Sequence, residues 1–390
     1  MSLFAMALLL TAGQADVDPG VKAYVTLLRE HEEAMTAFRT ALEAARTPAE
    51  RQTVFRDKHP KNADYARKFL EAARKHPDSP AAIDALTWVV LHPVEAEAPE
   101  AKLRGEAVRA LLKKPATDNR LGILCTRLVQ SVDPDSNAFL QGMLERGEGE
   151  NKGRATAARA HNLRHRCYTI RALKEDKDAV GEYERIWGKE AIAQLLKQSP
   201  DELEKESEKL FRAVIEKYAK QAHPTHGDLG SFARAHLAAM KEPVTVGKPA
   251  PEIEGKDLNG KEMKLSSFRG KVVLIDFHAH AFEVCREMFA TEAALLKKYA
   301  DRPFVLVGVN GDASRVQARL RNGAAGVTWP SWHDGGGMDG PIAIRWDVDR
   351  WPTLALIGPD GVVAAMWTGW PEVKELEQEV NALLAKAEKK

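Results

Sequence analysis

Between residues 241 and 251 the hydrophobic period of this chain changes, and with it the kind of layer each part can build. Before this stretch, apolar side chains recur at helical spacing. Val21, Tyr24, Val25 and Leu28 mark one stripe; Tyr65, Phe69, Ala72 and Ala73 mark another; Leu121, Leu124, Leu128 and Val129 mark a third. After it, short apolar runs rich in β-branched residues alternate with helical segments. The stretch itself carries Pro243, Pro249 and Pro251. Proline cannot continue a helix, and it pushes the residue before it toward extended geometry. The sequence therefore predicts an α-helical domain over 18–241, a linker over 242–251 and a second domain over 246–390.

The first domain reads as helix after helix. Breaks fall at Pro48, Pro60, Pro77, Pro93, Pro115, Pro134, Gly147 and Pro200, and Asp118 and Asp201 supply N-caps. Short helices joined by short turns predict an antiparallel helical array. A weak internal echo places Phe69-Leu70 and Phe139-Leu140 in equivalent helices, each followed by an Ala-rich helix. That echo points to stacked helix pairs, a solenoid-like array, although no tetratricopeptide signature is present.

In the second domain the runs 271–277 and 303–309 predict buried strands, and 283–299 and 313–321 predict helices. The runs 353–357 and 362–367 predict two strands joined by Gly358-Pro359-Asp360-Gly361, whose residue types suit a hairpin turn. A closing amphipathic helix covers 372–386. The order β-α-β-α-β-β-α is that of an α/β layered domain with a mixed sheet.

Several separate anchors in this order carry a resemblance. Gly247-Lys248-Pro249-Ala250-Pro251 opens the domain. Asp257-Leu258-Asn259-Gly260-Lys261 and Leu265-Ser266-Ser267-Phe268-Arg269-Gly270-Lys271 lead into the strand that ends at Asp276-Phe277. Trp351-Pro352-Thr353 and Gly358-Pro359-Asp360-Gly361 follow. Together, over about 246–387, these resemble the TlpA-like, redoxin type of thioredoxin fold. The resemblance implies thiol-disulfide oxidoreductase activity outside the cytoplasm, a cis-proline at Pro352 facing the active thiols, and a buried aspartate, Asp276, that takes a proton from the second cysteine.

At the reactive centre the chain departs from that family. Where the family reads Trp-Ala-x-Trp-Cys-Gly-Pro-Cys, this chain reads His278-Ala279-His280-Ala281-Phe282-Glu283-Val284-Cys285. Asp276-Phe277 before and Arg286-Glu287-Met288 after fix the register, so Phe282 stands at the first cysteine position and Cys285 at the second. Disulfide exchange needs an exposed thiolate, which a helix N-terminus stabilises. The resolving cysteine is kept and the attacking one is absent, and Glu283 opposes ionisation nearby. Dithiol exchange is expected to be impaired or lost. Three functional readings follow: a redoxin that is inactive or works through Cys285 alone; a binding module that presents Phe282, Trp351, Pro352 and Thr353 to a protein or peptide partner; and a metal-handling site at His278 and His280, with Cys285 and His333 close by. Peroxidatic chemistry lacks its threonine and proline, since Phe282 and His278 stand there.

Composition excludes other classes. The chain has 57 basic and 56 acidic residues, so no net field favours nucleic acid or a membrane surface. Arg154, Arg159, Arg164, Arg166 and Arg171 read as the solvated face of one helix. The glycines around Gly260-Lys261 and Gly335-Gly336-Gly337 lack a strand-to-helix phosphate cradle, and no HExxH or GxSxG occurs, so no cofactor is expected. The apolar run within residues 1–15 predicts a signal peptide and a periplasmic or secreted protein. No membrane span is expected in the mature chain. Cys125 and Cys167 read as buried, inert thiols. The sequence does not specify an oligomeric state.

Overall fold

The structure, a computed structural model, describes residues 17–92, 94 and 98–388. The predicted signal segment, 1–15, lies outside the described residues. The chain forms two compact units, residues 1–210 and 211–390. Their division falls inside one helix, Pro200–Tyr218. The five-stranded sheet follows the proline-rich stretch, while a short two-stranded hairpin within 222–228 and the helix 229–241 precede that stretch inside the second unit.

The first unit is helical. It contains α1 (Pro19–Ala44), α2 (Pro48–Lys58), α3 (Asn62–Lys75), α4 (Ala82–Leu91), α5 (Lys102–Leu111), α6 (Asn119–Arg127), α7 (Pro134–Arg146), α8 (Gly149–Glu175), α9 (Asp178–Trp187), α10 (Lys189–Leu196) and the start of α11 (Pro200–Tyr218). The proline breaks act as expected. Asp18, Thr47, Asp118 and Asp133 each accept a backbone N–H of the first turn that follows, leaving fewer orphan donors at those helix starts. From α3 to α8 the helices stack in two rows, α3 on α5 on α7 and α4 on α6 on α8.

A polar ladder tracks this stacking. Arg67 reaches Glu100, Arg104 reaches Ser136, and Arg146 donates to the carbonyl of Lys114, each pair 32 or 33 residues apart. The 70 residues between Phe69 and Phe139 are about two such steps, and both rings are fully buried in one core cluster.

The arginines of α8 correct the sequence reading. Arg159 and Arg166 are buried, not solvated. The turn between α6 and α7, residues 128–133, carries carbonyls outside any helix, and α8 runs past it. Its polar side chains satisfy those groups. Arg166 donates to the carbonyl of Val132 at 3.1 Å, and Asn162 donates to those of Val129 and Ser131 at 3.0 and 2.8 Å. Asn162→Ala strips this cap from a fully buried site. We expect a loss of about 1–3 kcal/mol, read as a lower urea midpoint, with exposed Lys113→Ala unchanged. An unchanged midpoint in Asn162→Ala would show that the carbonyls find other partners.

The second unit holds the sheet. A small hairpin, β1 (Ala222–His223) and β2 (Gly227–Asp228), precedes α12 (Leu229–Lys241), and a second hairpin pairs β3 (Glu254–Lys256) with β4 (Glu262–Lys264). The main sheet has β5 (Val272–His278), β6 (Phe304–Asn310), β7 (Ser331–His333), β8 (Thr353–Ile357) and β9 (Val363–Thr368), in the order β7-β6-β5-β8-β9. β5, β6 and β7 are parallel, while β8 and β9 are antiparallel to their neighbours. Helix α13 (Glu283–Lys298) links β5 to β6, α14 (Arg315–Ala324) links β6 to β7, and α16 (Val373–Ala387) closes the chain. The three-residue β7 and the short α15 (Pro341–Arg345) were too brief to leave a period in the sequence.

Alternation along β5 sorts the core. Val273, Ile275 and Phe277 enter one cluster with Trp332, Trp346 and Cys285. Val272 and Leu274 enter another with Met288, Phe289 and Leu295 of α13 and with Leu376, Val380 and Leu384 of α16. Every residue of β5 is buried, including Asp276 and His278. Among the described residues no helix is long and apolar enough to cross a membrane.

Candidate functional site

The site forms where β5 ends and α13 begins. Phe282 is the N-cap residue of α13 and offers no side-chain cap; Cys285 lies in the first turn. The apolar stripe of this helix, Cys285, Met288, Phe289 and Leu295, turns all four side chains inward. Cys285 is 0% exposed, and its cluster includes Ala279, Ala343, Trp346 and Trp351. Burial pushes its thiol up to about 12; the charges of Asp276 and Glu292 add to this, while a backbone contact at Ala279 and the nearby Arg286 work against it. Cys125, Cys167 and Cys285 are all free and buried.

Phe282 points the other way. It is 41% exposed, and its neighbour Val284 is 51% exposed. The Phe282 ring lies 6.4 Å from that of Trp351, centroid to centroid. The Trp351–Pro352 peptide bond is cis. Thr353 Oγ1 donates to the carbonyl of Arg350 at 2.8 Å, and the carbonyl of Pro352 accepts from Gly369 N–H at 2.8 Å. Phe282, Trp351, Pro352 and Thr353 therefore meet at one end of the sheet, with Cys285 beneath.

The histidines, read in the sequence as candidate metal ligands, sit in the interior. Both are buried, and both rings pack on Phe289, at 5.3 and 5.4 Å. Their spacing of two does send them the same way, but inward, because β5 runs on through His278 and α13 covers it. His278 Nδ1 lies 2.6 Å from Asp276 Oδ2. Burial works to lower the pKa of His278, but the charge and hydrogen bonds of Asp276 prevail and hold it above the ordinary value. His280 Nε2 lies 2.5 Å from Asn322 Oδ1, and burial lowers its pKa. His333 Nε2 lies 2.8 Å from the carbonyl of Asp312. The rings are committed to separate partners. Among the described residues no group of three or more His, Cys, Asp or Glu side chains is arranged to hold a metal ion.

Two anchors escaped sequence reasoning. Asp312, just past β6, accepts the backbone N–H of His280 at 3.1 Å and the Asn310 side-chain amide at 3.0 Å. Arg286 Nη1 donates to the carbonyl of His280 at 2.5 Å. These bonds pin the loop that carries Phe282. Glu292 is the second omission: it lies on the inward stripe of α13, 0% exposed, against Asp276. Burial raises its pKa well above the ordinary value, and the negative Asp276 raises it further. An acid at the 285-288-289-292-295 spacing was the available signal for it.

Residues 246–366 match the model of the AhpC/TSA family. The chain is 31% identical over 131 residues to the thiol-disulfide oxidoreductase ResA of Bacillus subtilis, covering 34% of this chain and 72% of that one. It is 29% identical over 138 residues to the thioredoxin-like protein YneN of the same organism, covering 35% and 78%. Among solved structures, a putative thiol:disulfide interchange protein DsbE from Chlorobium tepidum aligns at 28% identity with a TM-score of 0.33, over 36% of this chain and 99% of that one.

Proposed function

Given that the chain belongs, through its C-terminal domain, to the AhpC/TSA family of thioredoxin-like, thiol-disulfide oxidoreductase relatives, we propose that this member has given up dithiol exchange. In this reading it binds an extended segment of a protein or peptide partner at the exposed Phe282 and Val284, over the buried Trp351, Pro352 and Thr353. One contrast supports the reading. The only thiol at the site is fully buried and pushed up to about 12, whereas the apolar side chains around it, Phe282 and Val284, face outward. An attacking thiolate needs the reverse arrangement. An apolar ring over a tryptophan suits an apolar side chain of a partner. The acidic Glu283 and Glu287, exposed on the same turn, favour a partner segment with basic flanks. We also assign the protein to the periplasm or exterior, on the apolar run of residues 1–15.

Thiol reactivity tests the redox half. At neutral pH the native Cys285 should react with a disulfide probe roughly three orders of magnitude slower than a free thiol of pKa about 8.5, and should reach the free rate in denaturant. A Cys285→Ser control identifies its share of the signal. Rapid native labelling of Cys285, with a midpoint below about 8.5, would restore the lone-thiol reading. Binding tests the other half. A panel of apolar-basic decapeptides should bind the native chain, and Phe282→Ala should weaken binding about tenfold. Equal binding by native protein and variant would remove the groove from the account.

A further inference from the structure

Two exposed apolar pairs stand at the end of the sheet that carries Phe282. Among the described residues nine large apolar side chains are exposed, and four of them lie on two short turns: Phe282 and Val284 at the start of α13, Val316 and Leu320 on α14. Val316 and Leu320 are each 59% exposed, and their i,i+4 spacing sets them on one stripe of the helix. Only Ala318 and Asn322 of α14 are buried. Apolar residues scattered singly over a surface need no explanation, whereas a cluster of them marks an interaction site.

Topology brings the two turns together. The crossovers β5–α13–β6 and β6–α14–β7 each join parallel neighbours and step the same way across the sheet. Right-handed connections therefore place both helices on one face, with both N-termini at the same end. Side-chain contacts tie the turns to each other. His280, two residues before Phe282, has its Nε2 2.5 Å from Asn322 Oδ1 on α14. The His280 N–H donates to Asp312 at 3.1 Å, and the Asp312 carboxylate lies 4.0 Å from Arg321 Nη1. The charges around the two pairs are opposite. Glu283 and Glu287 accompany Phe282 and Val284. Arg315, Arg319 and Arg321 accompany Val316 and Leu320, and no acidic residue stands between Asp312 and Asp334. Glu283, Glu287 and Arg319 are exposed, and among the described residues they make no ion pair within the chain.

A surface that carries both halves of a complementary pair is self-complementary about a two-fold axis, because residue i of one copy meets residue j of the other while j meets i. We propose that a second copy of this chain docks here, with α14 of each copy against the Phe282 turn of the other and Arg319 facing Glu287. Patches of this size make a reversible dimer rather than an obligate one. The inference rests on the reading that the Phe282 turn takes an apolar segment with basic flanks, and it adds a regulation to that reading. In the dimer the turn is covered, so a second copy and an extended partner segment compete for it.

Sedimentation velocity of the full chain tests this, from low to high micromolar concentration. The sedimentation coefficient should rise with concentration from the monomer value to that of a dimer. Arg319→Glu or Glu287→Arg alone sets like charges face to face at both contacts and should weaken association about tenfold. Mixing the Arg319→Glu chain with the Glu287→Arg chain restores an opposite pair at both contacts, so the mixture should associate as the unaltered chain does. A general structural effect of either substitution would not produce that recovery. A chain that stays monomeric throughout the range overturns the proposal, as does a dimer that neither charge reversal weakens. A monomer that binds phosphatidylglycerol vesicles, and loses that binding in Arg319→Glu, also overturns it and gives α14 a membrane surface instead. None of these results removes the peptide reading, which fails when apolar-basic decapeptides bind the native chain and Phe282→Ala alike. Arg319 lies outside that groove, so the two failures are distinguishable.

Discussion

Replacing Gly311 by alanine should destabilise the second unit by about 3 kcal/mol, at the upper end of the usual cost of overpacking. A Cβ on Gly311 would fall inside the van der Waals envelope of the Trp351 ring, touching three of its carbons. The backbone there cannot retreat. Gly311 N–H donates to the carbonyl of His278 at 2.9 Å, and the carbonyl of Gly311 accepts from Gly337 N–H at 2.9 Å. The indole must move instead, and Phe282 and the Trp351–Pro352 turn move with it. Denaturant melts followed by tryptophan fluorescence read the loss. Gly311→Ala combined with Trp351→Leu should recover part of it, since the two changes share one contact. An unaltered midpoint in Gly311→Ala would mean that the ring has free space beside it.

The largest pH effect should come from Glu292. Below about 4.3 both folded and unfolded chains hold its proton, and the residue leaves stability independent of pH. Above that value the unfolded chain releases the proton while the folded chain, with its raised pKa, keeps it. Stability then falls as pH rises, by about 1.4 kcal/mol per pH unit until the folded pKa is passed. His278 shifts the same way: its folded pKa is also raised, so its contribution is complete below about 6.5 and is lost as pH rises through the folded value. Glu292→Gln removes only the first contribution. Above about pH 4.3 the difference in unfolding free energy between wild type and Glu292→Gln should therefore tilt in favour of the variant as pH rises, as read from urea midpoints. Parallel profiles would place the Glu292 proton elsewhere.

Part of this was readable from residue order. Side-chain spacing is local, so the stripes over α3 and α6, the buried runs of β5 and β6, and the turn at Gly358–Gly361 could be located with no knowledge of partners. The anchors from Gly247 to Trp351 sufficed to indicate the thioredoxin-like fold and the family. The stacking of helix pairs left only the faint Phe69–Phe139 echo, because the ladder that marks it uses different residue types at each step: Arg67 with Glu100, Arg104 with Ser136, Arg146 with a carbonyl.

What residue order by itself determined was therefore the succession of helices and strands, the fold of the second unit, and the presence of phenylalanine at position 282 with cysteine at 285. The fate of the polar residues was decided only by tertiary structure. His278 and His280 read as candidate metal ligands, yet they are interior and bound to separate partners, because α13 covers β5, Gly308 makes room and Asp312 pins the loop. Arg159 and Arg166 read as solvated, yet they are enclosed, because the Asn137 and Asn162 side-chain amide oxygens accept from Arg159, and the Val132 carbonyl, in the turn between α6 and α7, accepts from Arg166. Periodicity reports which face of an element is apolar. Whether a polar group on that element is buried depends on partners distant along the chain, and a buried charge is tolerated only where those partners balance it.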